Sequence, residues 1–321
     1  PMFRMDNEGF LDFDHLDHVW VIPAAGGEAR QLTQGRFSEG APRWTRDGRH
    51  ILFVSDRREE PWFGLEESRL WAVSPALESP TGGEALELVL DYTGAVMAFD
   101  QRADGALATI GKVLDSVPHS YDQMDVLLAN GAWPMRDPKR VNATRDHAFG
   151  ETLAADQHPP RGAGATPFAF AEQGRAIVAI ATRHGGGMLV RVDAESGEVR
   201  ELTPITKDVC MGTATADGRF WALTMGDARH PGDLVLVDAL TGACRTLHAP
   251  NAAVLSEIVP GPVEEFWYTS FDGQRIQAWL VKPPGFDPAK KWPLVLQIHG
   301  GPHAAYGAAY FHEFQVLAGA G

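Results

Sequence analysis

The run His299-Gly300-Gly301-Pro302 is the stretch of this sequence whose residue types are most suited to chemistry. It follows Trp292-Pro293-Leu294-Val295-Leu296-Gln297-Ile298, a continuous apolar run of the kind that forms a strand buried on both faces of a sheet. A loop leaving such a strand can aim backbone N–H groups at a bound molecule. Glycine lets the backbone approach closely and adopt positive φ, and Pro302 stiffens the turn. In acyl transfer the carbonyl oxygen gains negative charge, and one fixed N–H donor there contributes roughly 3–4 kcal/mol of transition-state stabilisation. The same residue types also make a tight strand-to-loop turn with no catalytic part.

Other groups invite weaker readings. Glu66-Glu67 precedes a hairpin and reads best as an exposed acidic loop, although paired glutamates can grip a free amino terminus. Arg57-Arg58 and Arg183-His184 sit at strand ends, where solvated loop charges are the simpler assignment than substrate-facing cations. His15 and His18 flank Asp17 and read as structural. No His-Glu-x-x-His or paired-cysteine spacing occurs, so no metal and no cofactor is expected. Cys210 and Cys244 read as small core residues, and Trp20, Trp44 and Trp71 as fillers between sheets.

The elements that would position the loop repeat along the chain. A strand, a Gly-rich turn and a second strand recur at 18–33, 69–88, 188–203 and 233–247, with a weaker copy at 125–141. Between these copies lies a second hairpin with an Asp-Gly turn, clearest at Pro42–Ser55 and looser around Asp104-Gly105 and Asp217-Gly218, with Glu172–Arg175 in the same place. Two hairpins per repeat make four strands, and hairpin starts 45 to 63 residues apart match propeller blades with loop insertions. The sequence therefore predicts a mainly β fold, a β-propeller of which about four to five blades are present over residues 1–255. A β-sandwich would show no repeated order of turn types. The segment 115–151, rich in His, Pro, Asn and Arg, is expected to include a long loop.

The texture changes near residue 255. Pro260-Gly261-Pro262 reads as an entry turn, Glu264–Ser270 and Arg275–Lys282 as one hairpin across Asp272-Gly273, and Ala304 to Ala318 as helix-forming. The pattern Asp272-Gly273, Ala278-Trp279-Leu280, Lys282-Pro283-Pro284-Gly285, Trp292-Pro293-Leu294-Val295, His299-Gly300-Gly301-Pro302-His303 and Tyr306-Gly307 resembles the start of the catalytic domain in acylaminoacyl-peptidases, a branch of the prolyl oligopeptidase family. The resemblance implies that residues 256–321 are the N-terminal part of an α/β-hydrolase domain, contributing its first strands and helix. In that fold the loop after this strand supplies one oxyanion-hole N–H. Carried over by position, Gly301 is the implied donor, supported by His299, Gly300 and Pro302. The implied activity is a serine peptidase cleaving short or N-acylated peptides, with the propeller gating access. Family propellers have about seven or eight blades, so further blades are expected upstream of Pro1.

No Gly-x-Ser-x-Gly elbow occurs in the 321 residues, and the implied order places catalytic Ser, Asp and His beyond Gly321. The chain by itself is expected to be inactive. Acylaminoacyl, dipeptidyl, oligo- and carboxypeptidase specificities stay open, as does a propeller used as a binding module.

Composition bounds the partners. With 44% hydrophobic and 22% charged residues the chain is of the ordinary globular kind. A diffuse net charge of −14 disfavours nucleic acid and anionic membrane. Short peptides are the expected partners, and edge-strand assembly of copies through the hydrolase domain is compatible with this reading. Two lone cysteines and a start without basic or apolar signal regions point to the cytoplasm.

Overall fold

A computed structural model describes residues 4–5, 9–10, 15–61, 67–75, 86–114, 122–142, 146–156, 167–301 and 304–321. The chain forms two compact units, Pro1–Val141 and Asn142–Gly321. In the first unit Gly40–Trp44, Ile51–Ser55, Arg69–Val73 and Leu86–Asp91 form an antiparallel meander, with Met135–Arg136 added parallel to the last strand. A second meander joins Gly94–Gln101, Leu107–Val113, Asp125–Ala129 and Lys139–Arg140. Two short hairpins precede them, Arg4–Met5 with Gly9–Phe10 and Trp20–Val21 with Arg30–Gln31.

The second unit repeats the plan. Phe168–Ala171, Ala176–Arg183, Gly186–Asp193 and Val199–Glu201 form one meander, and Ala148–Phe149 pairs along the same edge as Phe168–Ala171. Asp208–Ala214, Phe220–Asp227, His230–Asp238 and Cys244–His248 form the next. Such four-stranded sheets are the building unit of propellers. Among the described residues there are four, plus the Trp20–Val21 hairpin, in agreement with the four to five repeats expected. An Asp-Gly turn joins the first two strands in three of the sheets, Glu172–Arg175 takes that place in the fourth, and Gly-containing turns at 194–198 and 239–243 join the last two strands of the second unit's sheets. Gly82-Gly83-Glu84, the second Gly-rich turn, lies outside the described residues.

The repeated residues recur because they close the same hydrogen bonds. At the Asp-Gly turn Thr45 donates to Asp47 Oδ1 at 2.6 Å, and Arg49 N donates to the same oxygen at 3.0 Å. Thr215, Asp217 and Arg219 repeat this at 2.5 and 3.1 Å. These hydrogen bonds, the threonine hydroxyl first, hold both aspartates below the usual carboxylate range. At the end of the Gly-rich hairpin, Val19 N donates to Thr33 Oγ1 at 2.9 Å and Leu189 N to Thr203 Oγ1 at 3.0 Å. The buried threonine thus extends the ladder where the backbone pairing stops.

Neighbouring sheets pack through their alternating apolar faces. Val178, Ile180, Leu189, Leu202, Val209, Trp221, Leu223, Val235 and Val237 form one core in the second unit. Leu52, Leu70, Val89, Leu90, Val96, Phe99 and Leu107 form another in the first. Each such side chain contributes about 1.5–3 kcal/mol on burial. A buried ionic group accompanies these cores. Glu39 Oε2 lies 2.8 Å from His18 Nδ1 and accepts from Thr33 Oγ1 at 2.8 Å, while Arg57 Nη2 reaches Oε1 at 2.5 Å. The Arg57 guanidinium also lies over the Phe37 and Phe53 rings.

Several expectations need correction. Arg57 is a part-buried ion-pair partner of Glu39, which would otherwise be an uncompensated buried charge. Trp20 and Trp44 are exposed, and so is Cys244, whose strand is at the edge of its sheet among the described residues. Within 115–151 the described strands are Asp125–Ala129, Met135–Arg136, Lys139–Arg140 and Ala148–Phe149, while 115–121 and 143–145 lie outside the described residues. Among the described residues no helix is long and apolar enough to cross a membrane.

His147 is buried in the second unit with neither ring nitrogen hydrogen-bonded, Arg183 close by and Glu201 Oε1 3.5 Å from Nε2. Burial, and then the Arg183 charge, push its pKa below the ordinary 6.5. Between that ordinary value and the lower folded one the unfolded chain binds more protons, so stability falls as pH falls. His147→Gln should flatten this dependence, read as the urea midpoint between about pH 7.5 and pH 5. Equal losses in both proteins would remove His147 from the account.

Candidate functional site

The loop begins where the apolar run ends. Residues 291–300 pair with no other strand among the described residues, and Leu294, Leu296 and Ile298 are 80%, 77% and 78% exposed. The buried strand expected at 292–298 is therefore not formed: a parallel strand takes its hydrogen bonds and its cover from neighbours. Gln297 Nε2 donates to Glu313 Oε1 at 3.3 Å, tying the run to the helix His312–Ala320.

Gly301 has a φ of 135°, a region open in practice to glycine alone. Such a φ turns its N–H away from the path an extended strand would impose. Beside it, His299 Nδ1–H donates to Gly300 O at 3.1 Å, and the imidazole stands edge-on to Tyr306 at 5.6 Å. Tyr306 in turn packs on Phe311 at 4.9 Å and Phe314 at 5.7 Å, with Phe311 and Phe314 at 4.6 Å. His299, Gly300 and Gly301 are exposed at the end of this aromatic stack. Pro302 lies outside the described residues, as do His303 and Glu66.

Residues 304–311 are not helical, unlike the expectation for 304–318; the helix is confined to His312–Ala320. Their backbone is satisfied by distant backbone instead. Ala154 N donates to Ala305 O at 2.9 Å, Asp156 N to Tyr310 O at 3.0 Å, and Ala308 N to Gly185 O at 2.7 Å. Gly307 lies on Gly185 so closely that a Cβ there would stand 2.0 Å from Gly185 O. The turn His184-Gly185 also receives the hairpin Val263–Thr269/Arg275–Val281, with Gln277 Nε2 donating to His184 O at 2.8 Å and Trp267 edge-on to the His184 ring. Gln315 closes the other side: its Oε1 accepts from Gly261 N at 2.7 Å and its Nε2 donates to Ala228 O at 3.1 Å.

The remaining candidates do not join this loop. Arg183 pairs with Glu201 at 2.9 Å, and Arg58 pairs with Asp56 and with Glu67. Burial pushes the Cys210 thiol up to about 11 and raises that of Cys244, so neither is an activated nucleophile. Among the described residues no group of three or more His, Cys, Asp or Glu side chains is arranged to hold a metal.

No family model matches the chain. The uncharacterized peptidase YuxL of Bacillus subtilis is 50% identical over 58 residues, 18% of this chain and 9% of that protein. Dipeptidyl-peptidase 5 of Porphyromonas gingivalis is 29% identical over 137 residues, 41% of this chain and 19% of the relative. Over these stretches the chain is similar in sequence to peptidases. Solved structures agree in fold. Dipeptidyl peptidase 4 of Porphyromonas gingivalis aligns with a TM-score of 0.61 at 15% identity, covering 100% of this chain and 44% of that one. A puromycin hydrolase aligns at 0.58 and 19% identity, covering 83% of this chain and 37% of that one. The chain thus spans under half of those structures, and its matches span under a fifth of the curated relatives.

Sequence reasoning singled out Gly301 and His299 but not Asp156 and Gly185, whose roles are contacts to distant backbone with no local signature. Tyr306-Gly307 was visible as a dipeptide, though not as a packing site. Gly307→Ala should cost about 1–3 kcal/mol, as overpacking does, and should speed proteolysis within 304–311. An unchanged urea midpoint would show that this segment is not seated on the Gly185 turn.

Proposed function

We propose that this chain belongs to a serine peptidase acting on short or N-acylated peptides, in which Gly301 donates its N–H to the oxyanion formed at the scissile carbonyl. The observation that carries this reading is the 135° φ of Gly301 in a His-Gly-Gly loop directly after an apolar run. A donor set by such a backbone needs no reorganisation when charge develops, which is the condition for effective oxyanion stabilisation. On this reading the nucleophilic serine, its histidine base and the orienting aspartate lie outside these 321 residues, since no Gly-x-Ser-x-Gly occurs within them. The serine Oγ attacks the carbonyl carbon, the histidine takes the hydroxyl proton and returns it to the leaving amine, and water completes the cycle. The propeller-like sheets limit entry to short peptides. The names of relatives and neighbours in fold put N-terminal dipeptides and N-acylated amino acids first among substrates to try.

The test is hydrolysis of acetyl-alanyl and free-amine dipeptidyl p-nitroanilides by the full-length protein, with fluorophosphonate labelling of its serine. Wild type should turn over at least one and be labelled, and Gly301→Ala should lower kcat roughly a hundredfold with little change in KM. The 321-residue chain should match the blank. A full-length protein that neither labels nor hydrolyses any of these would overturn the reading in favour of a binding module.

A further inference from the structure

The helix His312–Ala320 starts without a cap of its own. Its N-cap residue, Phe311, offers no side-chain hydrogen bond. The first four N–H groups of a helix have no intrahelical partner, and a carboxylate there is favoured by the aligned peptide dipoles. Here the partner comes from far away in sequence: Asp156 Oδ2 accepts from His312 N at 2.7 Å. Asp156 also donates its own N–H to Tyr310 O at 3.0 Å, so one residue holds the chain on both sides of Phe311. Burial, with the Asp156 charge beside it, raises the Tyr310 phenol above its ordinary pKa, as this proximity requires.

Phe311 is not a bystander. It stacks on Tyr306 and Phe314, and Tyr306 carries the His299 ring, whose Nδ1–H holds Gly300 O. Glu313, one residue into the helix, binds Gln297 on the other side of the loop. Both approaches to Gly301 therefore run back to the first turn of this helix.

We propose that Asp156 is a positioning residue for the oxyanion loop: by capping the helix from the segment that follows Ala148–Phe149 it fixes the aromatic stack that sets His299–Gly301. This rests on the peptidase reading above. Asp156 touches no reacting atom and acts through the helix terminus. Its removal therefore frees Gly301 N–H without altering substrate binding elsewhere.

The experiment uses the full-length protein with wild type, Asp156→Ala and Asp156→Asn, the last retaining an acceptor oxygen for His312 N. Two readouts are taken: steady-state kinetics on the substrate wild type prefers, and amide hydrogen exchange of peptides covering 297–311. Asp156→Ala should lower kcat about tenfold with KM within twofold, and should speed exchange in 297–311 about tenfold. Asp156→Asn should restore most of both. A lowered melting temperature in Asp156→Ala with kcat and exchange unchanged would make the contact merely structural and overturn the proposal. So would Asp156→Asn behaving like Asp156→Ala. If wild type itself hydrolyses nothing, the peptidase reading fails, while exchange in 297–311 still decides whether Asp156 orders the loop.

Discussion

Residues 304–311 have neither a helix nor a ladder of their own, so their backbone polar groups must find partners elsewhere. The partners are Gly185, in a turn between two strands, and Ala154 and Asp156, in the irregular segment that follows Ala148–Phe149. That requirement places Gly307 against a glycine turn and seats Phe311 beside the helix terminus. It also leaves the His299–Gly301 loop at the open end of a stack anchored elsewhere. The loop's order is thus borrowed from a sheet turn and from the segment 154–156.

The sheets can lend their share of that order because each closes its own hydrogen bonds. The Thr-x-Asp-Gly turn satisfies the first hairpin locally, and a buried threonine hydroxyl extends the second. With these bonds internal to each repeat, the apolar faces are free to stack, with Trp221 and Leu189 in one core and Leu52 and Leu107 in another. Rigid elements of this kind hold a site more exactly than loops do. The Glu39, His18 and Arg57 group shows the complementary case, in which a buried charge is tolerated because it is surrounded by partners.

The exposed run Leu294–Ile298 marks where local information ends. Its composition is that of a strand covered on both faces, and it stands exposed because no neighbouring strand pairs with it here. A strand is a relation between segments, and hydrophobicity alone does not create it.

Residue types and spacing were enough to determine the repeated hairpins, the turn chemistry at Asp47-Gly48 and Asp217-Gly218, and the glycine requirement at 301. All of these are set within a few residues by φ, by side-chain reach and by alternation. Tertiary structure alone decided that Arg57 pairs with the buried Glu39, that the helix starts at His312, and that Asp156 caps it across more than a hundred residues of chain. The reason is physical: hydrogen-bond partners distant in sequence leave no periodicity, and a lone aspartate in a loop looks the same whether it meets water or a helix end.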